Sequence, residues 1–115
     1  EKDIQRQILE YLTYKGIFCW RNNTGAMVSE YKGKKRFMRF GASGSPDIIG
    51  ILKGGKFLGI EVKSKDKKMT PAQIACFEKI NENGGKIILA YGLEDVEREL
   101  KVNRSNEQYE QLCHL

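Results

Sequence analysis

The spacing of apolar positions along the chain predicts four helices. Ile4, Ile8 and Leu12 recur at intervals of four, which is typical of one buried helix face. Further along, Thr70 and Gln73 have the spacing of a capping box, in which two side chains bond backbone N–H groups at a helix start. The predicted helices cover residues 2–15, 70–83, 93–100 and 105–113.

Short runs of apolar residues, many of them β-branched or aromatic, predict the strands of a sheet. These runs cover residues 17–20, 48–52, 56–60 and 86–91. Residues 22–46 are rich in Gly, Ser and Asn and are predicted to be irregular, with a strand or hairpin inside residues 31–40. Because a helix connects the last two runs, these strands should be parallel. We therefore expect one α/β domain over residues 1–115, with a mixed sheet of four or five strands flanked by helices.

The turn between the two central runs decides how two acidic residues face each other. A two-residue turn would pair Asp47 with Val62, which leaves Glu61 on the opposite face of the hairpin. A three-residue loop would pair Asp47 directly with Glu61, so that both acids lie on one face. Gly55 suits the left-handed backbone of the longer loop because it has no Cβ. We therefore predict the three-residue loop or an equivalent bulge.

Asp47, Glu61 and Lys63 in this arrangement favour metal-dependent hydrolysis of phosphodiesters. Two converging carboxylates can hold a hard divalent cation such as Mg²⁺ through their oxygen atoms. Lys63 follows Glu61 by two positions and therefore shares its face of the strand. The cation would lower the pKa of bound water, and the lysine would orient that water for attack. The alternative is a solvated hairpin with ordinary surface charges, because this spacing of residues also arises by chance.

The distribution of charge favours a polyanionic partner. The chain has a net charge of +5, and residues 31–70 hold eleven Lys and Arg against three acids. Asp47 and Glu61 are two of those three acids, so they lie in a positive field that suits nucleic acid. Residues 94–115 differ, with three basic residues against six acids. The alternative interpretation of the basic segment is a solvated, lysine-rich face.

Basic and aromatic residues interleave through residues 31–40, as expected for contact with a nucleic-acid backbone and its bases. An edge strand kept soluble by lysines is the alternative. The loop over residues 41–46 could present N–H groups to a phosphate, but it is neither a G-x-G-x-x-G motif nor a P-loop, so we expect no nucleotide cofactor. The candidate DNA contacts are Arg21, Lys32, Lys34, Lys35, Arg36, Arg39, Ser43 and Lys65.

The cysteines and the histidine argue against several other kinds of site. Cys19, Cys76 and Cys113 are odd in number and lack a C-x₂-C spacing, so we expect neither a zinc site nor a disulfide framework. With one histidine, His114, the chain offers little for histidine-based catalysis. No run has the length of a transmembrane helix and no segment has the pattern of a signal peptide. We therefore expect reduced thiols, a cytosolic protein and no membrane partner.

Five short motifs follow one another over roughly residues 1–91. They are Glu1-x-x-Ile4-Gln5, Arg21-Asn22-Asn23-Thr24-Gly25, Gly44-Ser45-Pro46-Asp47-Ile48, Glu61-Val62-Lys63 and Gln73. In this order they resemble the PD-(D/E)xK nucleases, and within them the small VRR-Nuc domains. The resemblance implies a restriction-endonuclease-like core and nuclease activity on DNA.

The resemblance also implies roles for individual residues. Asp47 and Glu61 would bind Mg²⁺, or Mn²⁺ in its place, and the Val62 carbonyl would be a further ligand. Lys63 would position the attacking water.

Two residues outside the strands complete the implied site. Glu1 matches the acidic residue of the first helix that supplies another metal ligand, although Asp3 or Glu10 could substitute for it. Gln73 matches the helix glutamine beside the metal, a role that is compatible with its capping role.

The expected activity is a structure-specific endonuclease that resolves four-way (Holliday) junctions as a homodimer, because a homodimer presents two sites for paired cuts. The alternatives are a flap, nick or restriction-type nuclease, or a non-catalytic DNA-binding accessory protein. Stand-alone members of the family look like phage proteins, which implies the cytosol of a bacterium or of a phage-infected host. The candidate dimer contacts are Phe37, Met38, Phe40, Tyr109 and Leu112.

Overall fold

The computed structural model describes residues 1–23 and 25–101. The helices are α1 (Lys2–Tyr14) and α2 (Pro71–Glu82), and residues 93–101 are helical as well. Three of the four predicted helices are thus confirmed, and the one predicted over residues 105–113 lies outside the described residues. The strands are β1 (Phe18–Arg21), β2 (Gly25–Tyr31), β3 (Lys34–Phe40), β4 (Ile48–Leu52), β5 (Lys56–Val62) and β6 (Lys86–Ala90).

Four of the strands form a mixed sheet in the order β1-β4-β5-β6. β1 runs antiparallel to β4 and β4 runs antiparallel to β5, whereas β5 and β6 are parallel. α2 provides the crossover between the two parallel strands, as the sequence predicts. The α/β class and the four-stranded mixed sheet are therefore confirmed, while the extent of the single domain stays a prediction.

One face of this sheet carries the hydrophobic core. Leu58, Ile60 and Val62 alternate along β5 and are all buried, so Glu61 points to the opposite face. α1 and the helical residues 93–101 cover the core face, whereas α2 contacts Glu61 on the other one. Burying each large aliphatic side chain contributes about 1.5–3 kcal/mol to stability. The core residues are Ile8, Leu12, Ile48, Leu58, Ile60, Val62, Ile88, Ala90, Val96 and Leu100.

The connection between β4 and β5 has three residues, as predicted. Leu52 pairs with Lys56, and the loop between them has positive φ angles of 81° at Gly54 and 80° at Gly55. Glycine adopts such angles without a steric penalty. The ladder ends with Ile48 opposite Ile60, so the next position on each strand sets Asp47 opposite Glu61.

A separate two-stranded hairpin lies between β1 and β4 in the chain, where the sequence predicted a mostly irregular segment. That prediction is wrong in extent, because β2 begins at Gly25, before residues 31–40. Val28 and Phe37 pair across the hairpin and are both exposed, so no buried alternating pattern marks residues 28–37, the part of the hairpin whose burial is described. The turn has positive φ at Lys32 (51°) and Gly33 (73°), as a two-residue type I′ turn requires, without the Asn-Gly pair that usually announces one.

Candidate active site

The loop before β4 holds Asp47 in place through hydrogen bonds to its neighbours. Asn22, directly after β1, donates from Nδ2 to the Ser45 hydroxyl (2.8 Å) and to the Pro46 carbonyl (2.9 Å). The backbone N–H of Asn22 donates to the Asp47 carbonyl over 2.7 Å. These three bonds fix the peptide that carries the Asp47 side chain. Sequence reasoning gave Asn22 no such role, and the available signal was an amide side chain directly after a predicted strand.

Two glycines allow this loop to pack closely against the sheet and α2. Gly44 has a φ of 79°, and a Cβ added there would lie 2.4 Å from the Ala72 carbonyl oxygen at the start of α2. A Cβ added at Gly59 would lie 2.7 Å from Cγ of Pro46, which is fully buried. Any larger residue at either position would displace the loop, so both glycines help to set where Asp47 lies.

Two carboxylates face each other at the start of β4 and the end of β5. Oδ2 of Asp47 accepts the Val62 backbone N–H over 2.8 Å. Oε1 of Glu61 accepts Nε2 of Gln73 over 2.9 Å. Glu61 is 2% exposed, and its second oxygen, Oε2, has no hydrogen-bond partner among the described residues. The structure therefore brings the two predicted acids together, with this carboxylate oxygen buried.

Gln73 joins the helix start to the carboxylate pair. Its Oε1 accepts the Thr70 backbone N–H (2.9 Å), and its own backbone N–H donates to the Thr70 hydroxyl (3.2 Å). The predicted capping box is thus confirmed. The Nε2 group of the same side chain donates to Glu61, so capping and contact with the acid both occur. The cap holds the amide in the orientation that Glu61 needs.

Glu1 lies beside the site rather than inside the carboxylate pair. Its Oε1 accepts the Ser64 backbone N–H over 3.1 Å, just beyond the end of β5. Within the described residues, no group of three or more His, Cys, Asp or Glu side chains is placed to hold a metal ion. The metal role of Glu1 stays a prediction. Asp3 and Glu10, its alternatives, instead approach Arg6 along α1 at 3.9 and 3.7 Å.

The chain is similar to known proteins in sequence and in fold. The sequence model of the VRR-NUC domain matches residues 1–94. The chain belongs to the VRR-NUC domain family. A solved structure described as a VRR-NUC domain is similar, with a TM-score of 0.62 and 20% sequence identity, covering 88% of this chain and 94% of that chain. This likeness shows a shared nuclease-type fold with a restriction-endonuclease-like core. No curated protein matches the chain.

The candidate DNA contacts of this VRR-NUC domain lie on the hairpin, at the end of β1 and in loops. Lys34 and Arg36 alternate with Lys35 along β3, so Lys34 and Arg36 lie on one face of the hairpin and Lys35 lies on the other. Lys35 pairs with Glu30 across the hairpin, and the Lys32 ammonium lies 5.4 Å from the Tyr31 ring centroid. The structure describes no side chain for Arg39. The remaining exposed candidates are Arg21, Ser43 and Lys65.

One candidate dimer contact lies among the described side chains of the hairpin, at Phe37 on β3. Phe37 is 66% exposed, as a contact surface would require. The side chains of Met38 and Phe40, and all of Tyr109 and Leu112, lie outside the described residues. No helix in the described part of the chain combines the length and the apolar character needed to cross a membrane.

The environment of Glu61 changes its acidity. The pKa of Glu61 is raised from 4.5 to about 7, chiefly by burial of the side chain and next by the nearby charge of Asp47. The positive charge of Lys63 opposes both effects. At pH values near 7, Glu61 of this VRR-NUC domain is therefore partly protonated. A bound cation would add a second positive charge to that of Lys63 and favour the ionised carboxylate.

This pKa predicts that the metal-free protein loses stability as the pH rises. Between pH 4.5 and about 7 the folded state binds the Glu61 proton more tightly than the unfolded state, so the free energy of unfolding falls across this window. The full shift corresponds to a loss of about 3 kcal/mol. Thermal unfolding in EDTA from pH 4.5 to 8 should show a falling Tm.

Glu61→Gln is the matched variant, because glutamine can still accept the Gln73 amide but does not titrate. Its Tm should stay flatter over the same pH range and exceed that of the wild type at pH 8. Parallel curves for the two proteins would show that Glu61 keeps an ordinary pKa in the folded state.

Proposed function

We propose that this VRR-NUC domain is a metal-dependent endonuclease that hydrolyses DNA phosphodiester bonds, with Mg²⁺ as its cofactor and Mn²⁺ able to replace it. One observation carries the proposal: the Glu61 carboxylate is buried opposite Asp47, and its Oε2 has no hydrogen-bond partner in the part of the chain that the structure describes. A buried acceptor without a partner is costly. A divalent cation would remove that cost and the repulsion between the two acids.

The chemistry of the donor set fits a hard cation. Asp47, Glu61 and the Val62 carbonyl are oxygen ligands, and water would complete the shell that Mg²⁺ prefers. A further carboxylate would come from Glu1, whose Oε1 accepts the Ser64 N–H beyond the end of β5. When bound, the cation would neutralise charge on the phosphate and lower the pKa of a water molecule.

The other residues of the site orient the reacting groups. Gln73 holds Oε1 of Glu61, which leaves Oε2 directed to the ligand position. Lys63 extends from the same strand face as Glu61, and its ammonium only donates hydrogen bonds. It can therefore orient an attacking water or a phosphate oxygen. Asn22 fixes the loop that carries Asp47, so it acts as a positioning residue.

The hairpin supplies a surface for the DNA backbone. Lys34, Lys35 and Arg36 are all exposed on β3. Neutralising the three together with glutamine should weaken binding to any DNA. Counterion release gives a slope near −0.9 per phosphate contact, so losing the two contacts that share a face, Lys34 and Arg36, should flatten the plot of log K against log salt by about 2 units.

Lys79→Gln on the exposed side of α2 is the control for this measurement and should leave the slope near that of the wild type. Fluorescence anisotropy of a labelled duplex between 50 and 200 mM salt gives both slopes, which is the range where such contacts change affinity most. A triple variant with the wild-type slope would place the DNA backbone elsewhere.

The proposed substrate is a four-way junction cut by a homodimer. Each chain carries one set of Asp47, Glu61 and Lys63, whereas resolving a junction needs two cuts in the lifetime of one complex. A twofold dimer supplies the second set. Exposed Phe37 supports an interface on the hairpin.

A panel of labelled substrates tests the function. The protein is incubated with a four-way junction, a flap, a nicked duplex and an intact duplex, in Mg²⁺, in Mn²⁺ and in EDTA. We expect metal-dependent, symmetric cuts in the junction and sedimentation at about twice 13.2 kDa. A monomer that cuts only flaps or nicks would remove the junction proposal and keep the nuclease. Binding without cleavage under every metal condition would indicate a DNA-binding accessory protein.

A further inference from the structure

Two aromatic side chains are exposed on the edge strand of the sheet. Phe18 and Trp20 alternate along β1, so they share one face, and their ring centroids lie 5.3 Å apart with 50° between the ring planes. Phe18 is 68% exposed and Trp20 is 41% exposed. Ile51, which pairs with Phe18 on β4, is 42% exposed and extends the patch. A contiguous exposed apolar patch often marks a binding surface.

The strand register sets this patch on the same sheet face as the carboxylates. Trp20 pairs with Ile49, and Ile49 pairs with Gly59, which shares its face of β5 with Glu61. The row that contains Trp20 is therefore the row next to the Asp47–Glu61 pair. One strand spacing and two residues separate Trp20 from Asp47, which gives roughly 8 Å between their Cα atoms. This is within reach of a nucleotide whose phosphate lies at the carboxylates.

The place of the patch favours a nucleic acid over a second copy of the chain. Arg21 and Lys56 pair with Ile48 and Leu52, so they lie on the core face of the sheet, whereas Lys53 lies in the loop that follows the patch on β4. The patch itself borders the proposed metal site, where a nucleic acid would bring a phosphate. A single strand bound there offers flat bases to the two rings.

We propose that Phe18 and Trp20 form a stacking platform that receives an unpaired base next to a phosphate at the metal site proposed for Asp47 and Glu61. The proposal rests on the proposed nuclease function. It accounts for specificity toward unpaired nucleotides, because a stacked base must first leave its duplex. Junctions, flaps and frayed ends provide such bases, whereas an intact duplex must be opened.

The fluorescence of Trp20 tests the platform directly, since it is the only tryptophan in the chain. The full chain in EDTA is titrated with a single-stranded oligonucleotide, and then with an abasic oligonucleotide of the same length and charge. Stacking should quench the emission with the first and leave it nearly unchanged at saturation with the second. Equal quenching by both would overturn the platform.

Substitutions separate stacking from general apolar contact. Trp20→Leu should weaken binding of the normal oligonucleotide by about tenfold, as expected for the loss of one stacked base, and leave binding of the abasic one unchanged. Trp20→Phe should restore most of the affinity. Tyr14→Leu, at an exposed aromatic on α1, should bind as the wild type does. Equal losses of Trp20→Leu on both oligonucleotides would contradict the proposal.

Two further measurements distinguish the other outcomes. A change in the sedimentation of Trp20→Leu would assign the patch to a contact between copies and would overturn the platform. Cleavage of junctions by a wild type that shows no quenching would leave the nuclease standing without the platform. Quenching of Trp20 emission by the normal oligonucleotide, in a protein that cleaves none of the substrates, would support the platform and contradict the proposed function.

Discussion

Asp47→Asn is expected to lower the rate of DNA cleavage by about a thousandfold or more, while the affinity for DNA does not fall. Asparagine has the same shape and can still accept the Val62 N–H, so the loop should keep its position. It removes one negative ligand, and the charge stabilisation from a bound cation is worth several kcal/mol in the transition state. Loss of an acid also reduces repulsion toward phosphate.

Asp66→Asn is the matched control for this variant. Asp66 is the third acid in the basic segment over residues 31–70, and it is exposed beyond the end of β5. The two variants change the net charge equally, so a difference in cleavage between them belongs to the site. Single-turnover cleavage of a labelled junction in Mg²⁺ gives both rates. Wild-type cleavage by Asp47→Asn would remove the metal site from the proposal.

Binding of the cation can be measured without any cleavage. Mg²⁺ added at pH 8 should raise the Tm of the wild type, because it binds the folded state at a site with two facing acids. Asp47→Asn and Glu61→Gln should show a smaller rise. Glu61→Gln should also lose cleavage while its metal-free Tm at pH 8 exceeds that of the wild type. Lower activity together with higher stability would rule out unfolding as the cause of the lost cleavage in Glu61→Gln.

The sheet and its helices could be predicted because their signals are local. Ile4, Ile8 and Leu12 have the period of a helix face, and they belong to or pack against the core. The β4–β5 loop was also predictable, because Gly55 favours the longer of two discrete loops and the loop length fixes the register. The facing acids follow from that register.

The features that sequence reasoning missed depend on distant contacts. Asn22 bonds Ser45 and Pro46, which lie 23 and 24 residues away along the chain. Glu61 alternates with buried residues, a pattern that normally assigns a polar side chain to solvent. It is buried because α2 returns over that face. The β2–β3 hairpin escaped full prediction since residues 28–37, the part of it whose burial is described, are largely exposed and show no buried apolar face.

Lys63→Ala is expected to lower the cleavage rate by about a hundredfold or more, as is typical for a group that positions a nucleophile. The decrease should appear in kcat rather than in KM, because one cation contributes little to total DNA affinity. Folding should be little altered, since the ladder contact of Lys63 with Ala90 is made by its backbone N–H. Lys67→Ala, at an exposed position beyond the strand, is the control of equal charge.

The same variant tests whether Lys63 acts on the carboxylate pair. The charge of Lys63 lowers the pKa of Glu61, so its removal should raise that pKa further. The pH at which metal-free stability stops falling should then move upward in Lys63→Ala and stay in place in Lys67→Ala. Slow cleavage by Lys63→Ala, together with this upward shift of the pH at which stability stops falling, would identify Lys63 as a cation held beside both acids. Wild-type activity at pH 8 would instead leave Lys63 as a surface lysine or a phosphate contact without a part in hydrolysis.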